Sequence, residues 1–288
     1  MSNFSETENS AYSRRDFIKT ASVLAGVCLL NCDALGQETV ITSYVSAVDD
    51  ENIISEKIRF KSGNNEIEGF LSRPKKKGRY PIIVVVSGST YDDAYIQDMT
   101  AKFAEADLVG ISPNIFSLQK ETMTAEEKRK VFAEQMTDEN IFQDIQAAID
   151  YLSSQKFVKK KKIGITGFCF GGRCALMFAA QNNEVDAVAP FYGNLKTPAF
   201  ANRKKDPVDI VNQIKVPIQG HYAENDNEIP LDQLKQFEAA LKKQGTEVEI
   251  FTYNAPHGFF ANNRKSYNAE AAQLSWQRVI DFFTKKLK

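Results

Sequence analysis

The sequence predicts an α/β domain built on a mostly parallel sheet of eight strands with helices on both faces. Three observations carry this expectation. From Ile54 onward, short β-rich segments alternate with longer amphipathic ones, the pattern of successive βα units. The run Ile82-Ile83-Val84-Val85-Val86 is continuously apolar, as a strand covered on both faces must be. No internal repeat or low-complexity stretch interrupts the alternation, and 43% apolar residues suffice for one compact core.

Taken in order, residues 54–60 and 67–72 flank a Ser-Gly-Asn-Asn turn and read as a hairpin. The buried strand 82–86 follows, then a helix near 95–106, a strand at 108–112 and a polar helical segment from about 124 to 135. Residues 138–154 form the next helix, with Thr137 as the residue whose hydroxyl satisfies the first free amides. Strand 162–166, helix 172–180, strand 187–191, strand 216–221, helix 231–244, strand 247–253 and a last helix near 268–286 complete the chain. A sheet of this kind places its sites at the carboxyl ends of its strands.

The first residues differ from the rest. Ser13-Arg14-Arg15-Asp16-Phe17-Ile18-Lys19 runs into an apolar stretch from Ala21 to Leu30, which resembles a twin-arginine export signal. The stretch is too short to span a bilayer comfortably, and Ala34-Leu35-Gly36 offers small residues for cleavage. The expectation is a leader over 1–36, a linker over 37–53 and a folded domain over 54–288. The protein would then be exported, with a periplasmic location, guided by Arg14 and Arg15 and keeping no membrane span after processing. Leu29-Leu30-Asn31-Cys32 offers lipid anchoring at Cys32 as an alternative, against which the bulk of Asn31 argues. With 36 basic and 37 acidic residues the chain has no net field to hold a polyanion. The lysine runs at 75–77 and 159–162 read as solvated loops, not as nucleic-acid contacts.

Cys28 and Cys32 fall in the leader, so the expected mature chain keeps only Cys169 and Cys174 and has no disulfide framework. Gly167-Phe168-Cys169-Phe170-Gly171-Gly172 joins an apolar strand to a helix, the context in which a nucleophile is held on a sharp, strained turn. The helix amino terminus behind Cys169 favours the thiolate. Only two histidines are present. His257 lies just past the last strand, where a loop can carry it over the sheet edge, and is the candidate general base. His221 reads as a packed strand-end residue. The third member of a triad orients the base. Asp226, after strand 216–221, fits the order nucleophile, acid, histidine, with Glu224 and Glu228 as rivals.

With these motifs in place, residues 54–287 resemble the dienelactone hydrolase family, or carboxymethylenebutenolidases, of the α/β-hydrolase fold. The resemblance rests on the Cys169 elbow, on Asp226 with Pro230, on His257-Gly258-Phe259, and on Tyr267-Asn268-Ala269-Glu270-Ala271-Ala272 with Trp276-Gln277-Arg278. It implies thiolate attack on a small ester or lactone, an acyl-enzyme and no metal or organic cofactor. The backbone N–H groups of Phe170 and Ser89 would form the oxyanion hole. Two departures stand out. Gly88 occupies the place where the family usually carries a Glu beside the thiol. Ala261 stands four places after His257, where a substrate-gripping Arg is expected, leaving Arg264 and Arg173 as the remaining cations. Neutral substrates are therefore expected. Two rival readings are a family member that has lost catalysis and serves as a binding protein, and a Cys169/Cys174 redox pair, whose spacing is not Cys-x-x-Cys.

Overall fold

A computed structural model of the chain describes residues 47–88, 93–197 and 203–288. The expected leader, with Arg14, Arg15, Cys28 and Cys32, lies outside them, as does Ser89. Eight strands form one sheet in the order β1-β2-β4-β3-β5-β6-β7-β8. They are β1 (Ile53–Ser62), β2 (Asn65–Pro74), β3 (Tyr80–Val86), β4 (Val109–Pro113), β5 (Val158–Phe168), β6 (Ala187–Phe191), β7 (Ile218–Asn225) and β8 (Val248–Pro256). β1 and β2 pair through a turn at Gly63-Asn64, and Gly63 takes φ +56°, a left-handed conformation natural to glycine. β2 is antiparallel to β4, and every pairing from β4 through β8 is parallel. The all-apolar β3 is fully buried from Ile82 to Val86, as expected of a central strand.

Among the described residues, six helices cover the sheet: α1 (Asp93–Glu105), α2 (Ala125–Glu134), α3 (Asp138–Ser153), α4 (Phe170–Gln181), α5 (Leu231–Lys243) and α6 (Ala269–Leu287). α1 and α6 share one face, where Phe103 meets Trp276 and Phe283 at ring-centroid distances of 4.8 and 6.1 Å. α3 and α4 meet through Phe142 and Phe178 at 5.8 Å. Thr137 caps α3, its hydroxyl accepting from the Asn140 N–H at 3.2 Å. Ahead of β1, a short turn at Ala47–Asp49 is tied to α1 by a hydrogen bond from the Ala47 N–H to Asp98.

Two expectations need correction. Lys159–Lys161 form the exposed start of β5, not a loop. There Lys161 takes φ +70° and the pairing with β3 slips, so the lysines face solvent on an otherwise apolar strand. α4 begins at Phe170, two residues earlier than the elbow glycines suggest, because the chain turns helical immediately after Cys169. Among the described residues, no helix is long and apolar enough to cross a membrane.

The strand order fixes where a site can form. From β3 the chain moves toward the β4 edge and from β5 toward the β6 edge, so a crevice opens between the carboxyl ends of β3 and β5. Gly88 lies two residues past the end of the first of these strands and Cys169 one residue past the end of the second.

Candidate active site

Cys169 sits between β5 and α4 at φ +54°, ψ −120°, a conformation costly for any residue with a side chain. It is held there from both sides. Its N–H donates to the Phe191 carbonyl of β6 at 3.0 Å, and its own carbonyl accepts from the Arg173 N–H at 3.1 Å. The glycines around it are required by close approach. A Cβ on Gly171 would run into the carbonyls of Val86 and Ser87, and one on Gly172 would lie 2.7 Å from the Gly193 Cα. Phe170 opens α4, so its N–H belongs to a first turn without intrahelical partners.

The other two residues are brought together by register. β7 and β8 run parallel with Asn225 opposite Pro256, so the next residue of each, Asp226 and His257, emerge side by side above the sheet. His257 Nδ1 lies 2.7 Å from Asp226 Oδ2. Asp226 is itself fixed by its loop, its Oδ1 accepting from the N–H groups of Glu228 at 2.8 Å and Ile229 at 3.1 Å. Its side chain is 1% exposed. Of the two rivals, Glu224 binds Thr252 instead. Glu228 lies on the opposite side of the imidazole, its Oε2 3.7 Å from Nε2.

The electrostatics follow from these contacts. Burial works to lower the His257 pKa, but the hydrogen bond to Asp226 and the hydrogen bond and charge of Cys169 outweigh it, pushing the value up to about 10. Tyr192 packs edge-on against the imidazole at 5.0 Å. Burial and the neighbouring Cys169 charge push its phenol well up, so it stays neutral and acts as a wall. Tyr192 is itself at φ +36°, where β6 passes into the site. Cys169, Glu228 and a ring nitrogen of His257 lie within 4.8 Å of one another and would be the donors for any metal ion at this site.

Three sequence expectations change here. Arg173, considered as an anion-binding cation, is fully buried behind Cys169. It reaches Asp138 Oδ1 and Oδ2 at 2.7 and 3.0 Å, Asp206 Oδ1 at 3.0 Å and the Lys205 carbonyl at 2.6 Å. It ties the start of α3 and the segment around Asp206 to the elbow and has no capacity left for substrate. Gly88 does lie under Cys169, since a Cβ there would be 3.8 Å from the Cys169 Cβ. The thiol nevertheless has a carboxylate neighbour, because Glu228 arrives from the acid loop. Asn194, which the sequence did not single out, links the two. The Cys169 thiol donates to its Oδ1 at 3.7 Å, and its Nδ2 donates to Glu228 Oε2 at 3.2 Å. His221 lies within β7, completely buried, not at the strand end. Its Nδ1 is 2.8 Å from the Tyr253 hydroxyl, and its ring stacks on Phe191.

An eight-stranded sheet with a strained Cys at the strand-to-helix turn, and an Asp-His pair at the ends of the following strands, defines an α/β-hydrolase type of enzyme. The family model for the dienelactone hydrolase family matches residues 67–287, and the chain belongs to that family. It is a hydrolase acting on ester or lactone bonds. A relative from Synechocystis, named "Putative carboxymethylenebutenolidase", is 34% identical over 233 residues, 78% of this chain and 94% of the relative. One of the same name from Methylorubrum extorquens is 28% identical over 275 residues, 94% of this chain and 92% of the relative. Among solved structures, one described as a "Putative Dienelactone Hydrolase" from Klebsiella pneumoniae superposes with a TM-score of 0.75 at 28% identity. That superposition covers 81% of this chain and 99% of the other.

Proposed function

We propose that the chain is an exported thiol hydrolase of a small ester or lactone, with Cys169 as nucleophile, His257 as acid and base, and Asp226 as the group that orients His257. The observation that carries this reading is the 2.7 Å contact between Asp226 and His257 Nδ1, which turns Nε2 toward the thiol. The thiolate attacks the carbonyl carbon, and the oxyanion is received by the Phe170 N–H and by a donor from the loop after β3, for which Ser89 is the candidate. The imidazolium passes its Nε2 proton to the departing alkoxide, leaving a thioester. Water then adds to the thioester as His257 takes its proton, and the acid leaves as the thiol re-forms. The residues supply nucleophile, base and oxyanion donors, so the reading needs no metal or organic cofactor.

The experiment is a rapid-mixing assay with a p-nitrophenyl ester. The wild type should give a burst of p-nitrophenol and Cys169→Ala should give none, with steady turnover lower by about 10³-fold or more. A Cys169→Ala protein retaining half the activity would sink the reading, and a wild type without turnover on a panel of esters would turn it toward a binding role. Export is tested separately. Replacing Arg14 and Arg15 by Lys conserves charge and should trap the precursor in the cytoplasm, whereas normal export would assign the leader to another route.

A further inference from the structure

Glu228 stands on the acid loop but takes no part in the Asp226–His257 pair. Its N–H is bonded to Asp226 Oδ1 at 2.8 Å, so the turn that seats the acid also fixes the point at which the side chain of residue 228 leaves the backbone. From there the carboxylate reaches over the reacting atoms. Its Oε2 is 3.7 Å from His257 Nε2, and it accepts the Asn194 amide at 3.2 Å. Asn194 touches the Cys169 thiol with its other end, bracing the carboxylate over Sγ. The side chain is 54% exposed, so it faces the solvent from which an acyl group must enter.

We propose that Glu228 is a charge gate, selecting neutral or cationic acyl groups and turning away those that carry a carboxylate. The inference rests on the thiol-hydrolase reading above. A thiolate paired with an imidazolium is neutral as a unit, which leaves the Asp226 and Glu228 carboxylates to set the sign of the field at the mouth. Asp226 is sealed from solvent, so Glu228 is the one an incoming group meets. Arg173 cannot offset it, being held by Asp138 and Asp206, and Arg264 lies exposed, its charge reaching as far as Tyr192. An acyl chain bearing its own carboxylate must bring that charge beside Glu228 before its carbonyl can reach Sγ. A chain ending in an ammonium group gains from the same neighbour.

The test compares kcat/KM for three aryl esters of similar size, one neutral, one ending in a carboxylate and one in a quaternary ammonium. The proteins are wild type, Glu228→Gln, Glu228→Asp and Cys169→Ala, each at low and high salt. Glu228→Gln should raise the anionic ester about tenfold relative to the neutral one and lower the cationic one severalfold. Both changes should shrink at high salt, because the half-exposed charge is screened. Glu228→Asp should keep the wild-type ranking. Equal changes for all three esters would mean that Glu228 acts only by holding His257, and an unchanged ranking would mean that its charge is not felt. Either result overturns the gate, as would a wild-type preference for the anionic ester that is lost in Arg264→Ala. Activity remaining in Cys169→Ala would instead overturn the thiol mechanism, so the two failures are distinguishable.

Discussion

The two histidines of this chain, one within β7 and one just past its neighbour β8, have opposite fates. His221 lies inside β7, stacked against Phe191 and with no exposed surface. Burial, aided by the nearby Arg278 charge, pulls its pKa down to about 3, well below the ordinary 6.5. His257 lies one residue past the end of β8, and its carboxylate and thiol partners push its pKa up to about 10. A few residues along a strand separate a packing residue from a catalytic candidate. The carboxyl end of the sheet is where backbone pairing stops and side chains become free to meet partners from other strands.

The largest expected effect separates the two residues by function. His257→Ala should lower esterase kcat by about 10³-fold or more while its melting temperature stays near that of the wild type. His221→Ala should do the reverse, losing on the order of 3 kcal/mol of stability through a cavity and the lost hydrogen bond to the Tyr253 hydroxyl, which keeps only Arg278 as a partner. If His221→Ala abolished turnover without lowering the melting temperature, the comparison would collapse. Asp226→Asn belongs with His257 and should cost a factor on the order of 10²–10³, less than removal of the base itself.

Acid and alkali should sharpen the contrast. The folded pKa of His221 lies below the ordinary 6.5, so the unfolded chain takes up a proton that the folded chain refuses. Stability should fall by about 1.4 kcal/mol per pH unit as pH drops from 6.5 toward 3. The folded pKa of His257 lies above 6.5, so its contribution is complete below 6.5 and is lost as pH rises through about 10. Urea titrations across this range should show opposing limbs, with the acid limb flattened in His221→Gln and the alkaline limb in His257→Gln. Limbs unchanged in both variants would assign the slopes to other groups.

A smaller effect repeats the comparison with thiols. Burial pushes Cys174 up to about 12, whereas Cys169 is half-exposed at the elbow. Brief iodoacetamide treatment of the native protein should label Cys169 and spare Cys174, as read by peptide mass spectrometry, and Cys174→Ala should keep activity within about twofold. Labelling of Cys174 at an equal rate would mean that α4 opens readily.

Much of this was legible in the sequence, for reasons that particular residues make plain. The apolar run of β3 and the pattern of β6 allow only buried strands, and the glycines around Cys169 allow only a tight strand-to-helix turn. The extent of β5 was not legible, because its first residues are lysines whose strand conformation comes from pairing and not from burial. The role of Arg173 was not legible, because its partners, Asp138 and Asp206, are remote in sequence and meet it only when α3 and the segment before β7 close on α4. Asp226 and Glu228 sit two residues apart on one loop. Composition and order find both, but only the register of β7 on β8 tells which one takes Nδ1 and which one faces the thiol.

The backbone angle at Cys169 sets folding against chemistry at a single residue. At φ +54° and ψ −120° a glycine would be comfortable, and every other residue stores strain that the rest of the domain must absorb. Cys169→Gly should therefore melt a few degrees higher than the wild type, for a gain of about 1 kcal/mol, while hydrolysing nothing. A Cys169→Gly protein that melts below Cys169→Ala would show that no such strain is held there. In a lineage no longer selected for hydrolysis, this position would be one that drift could improve.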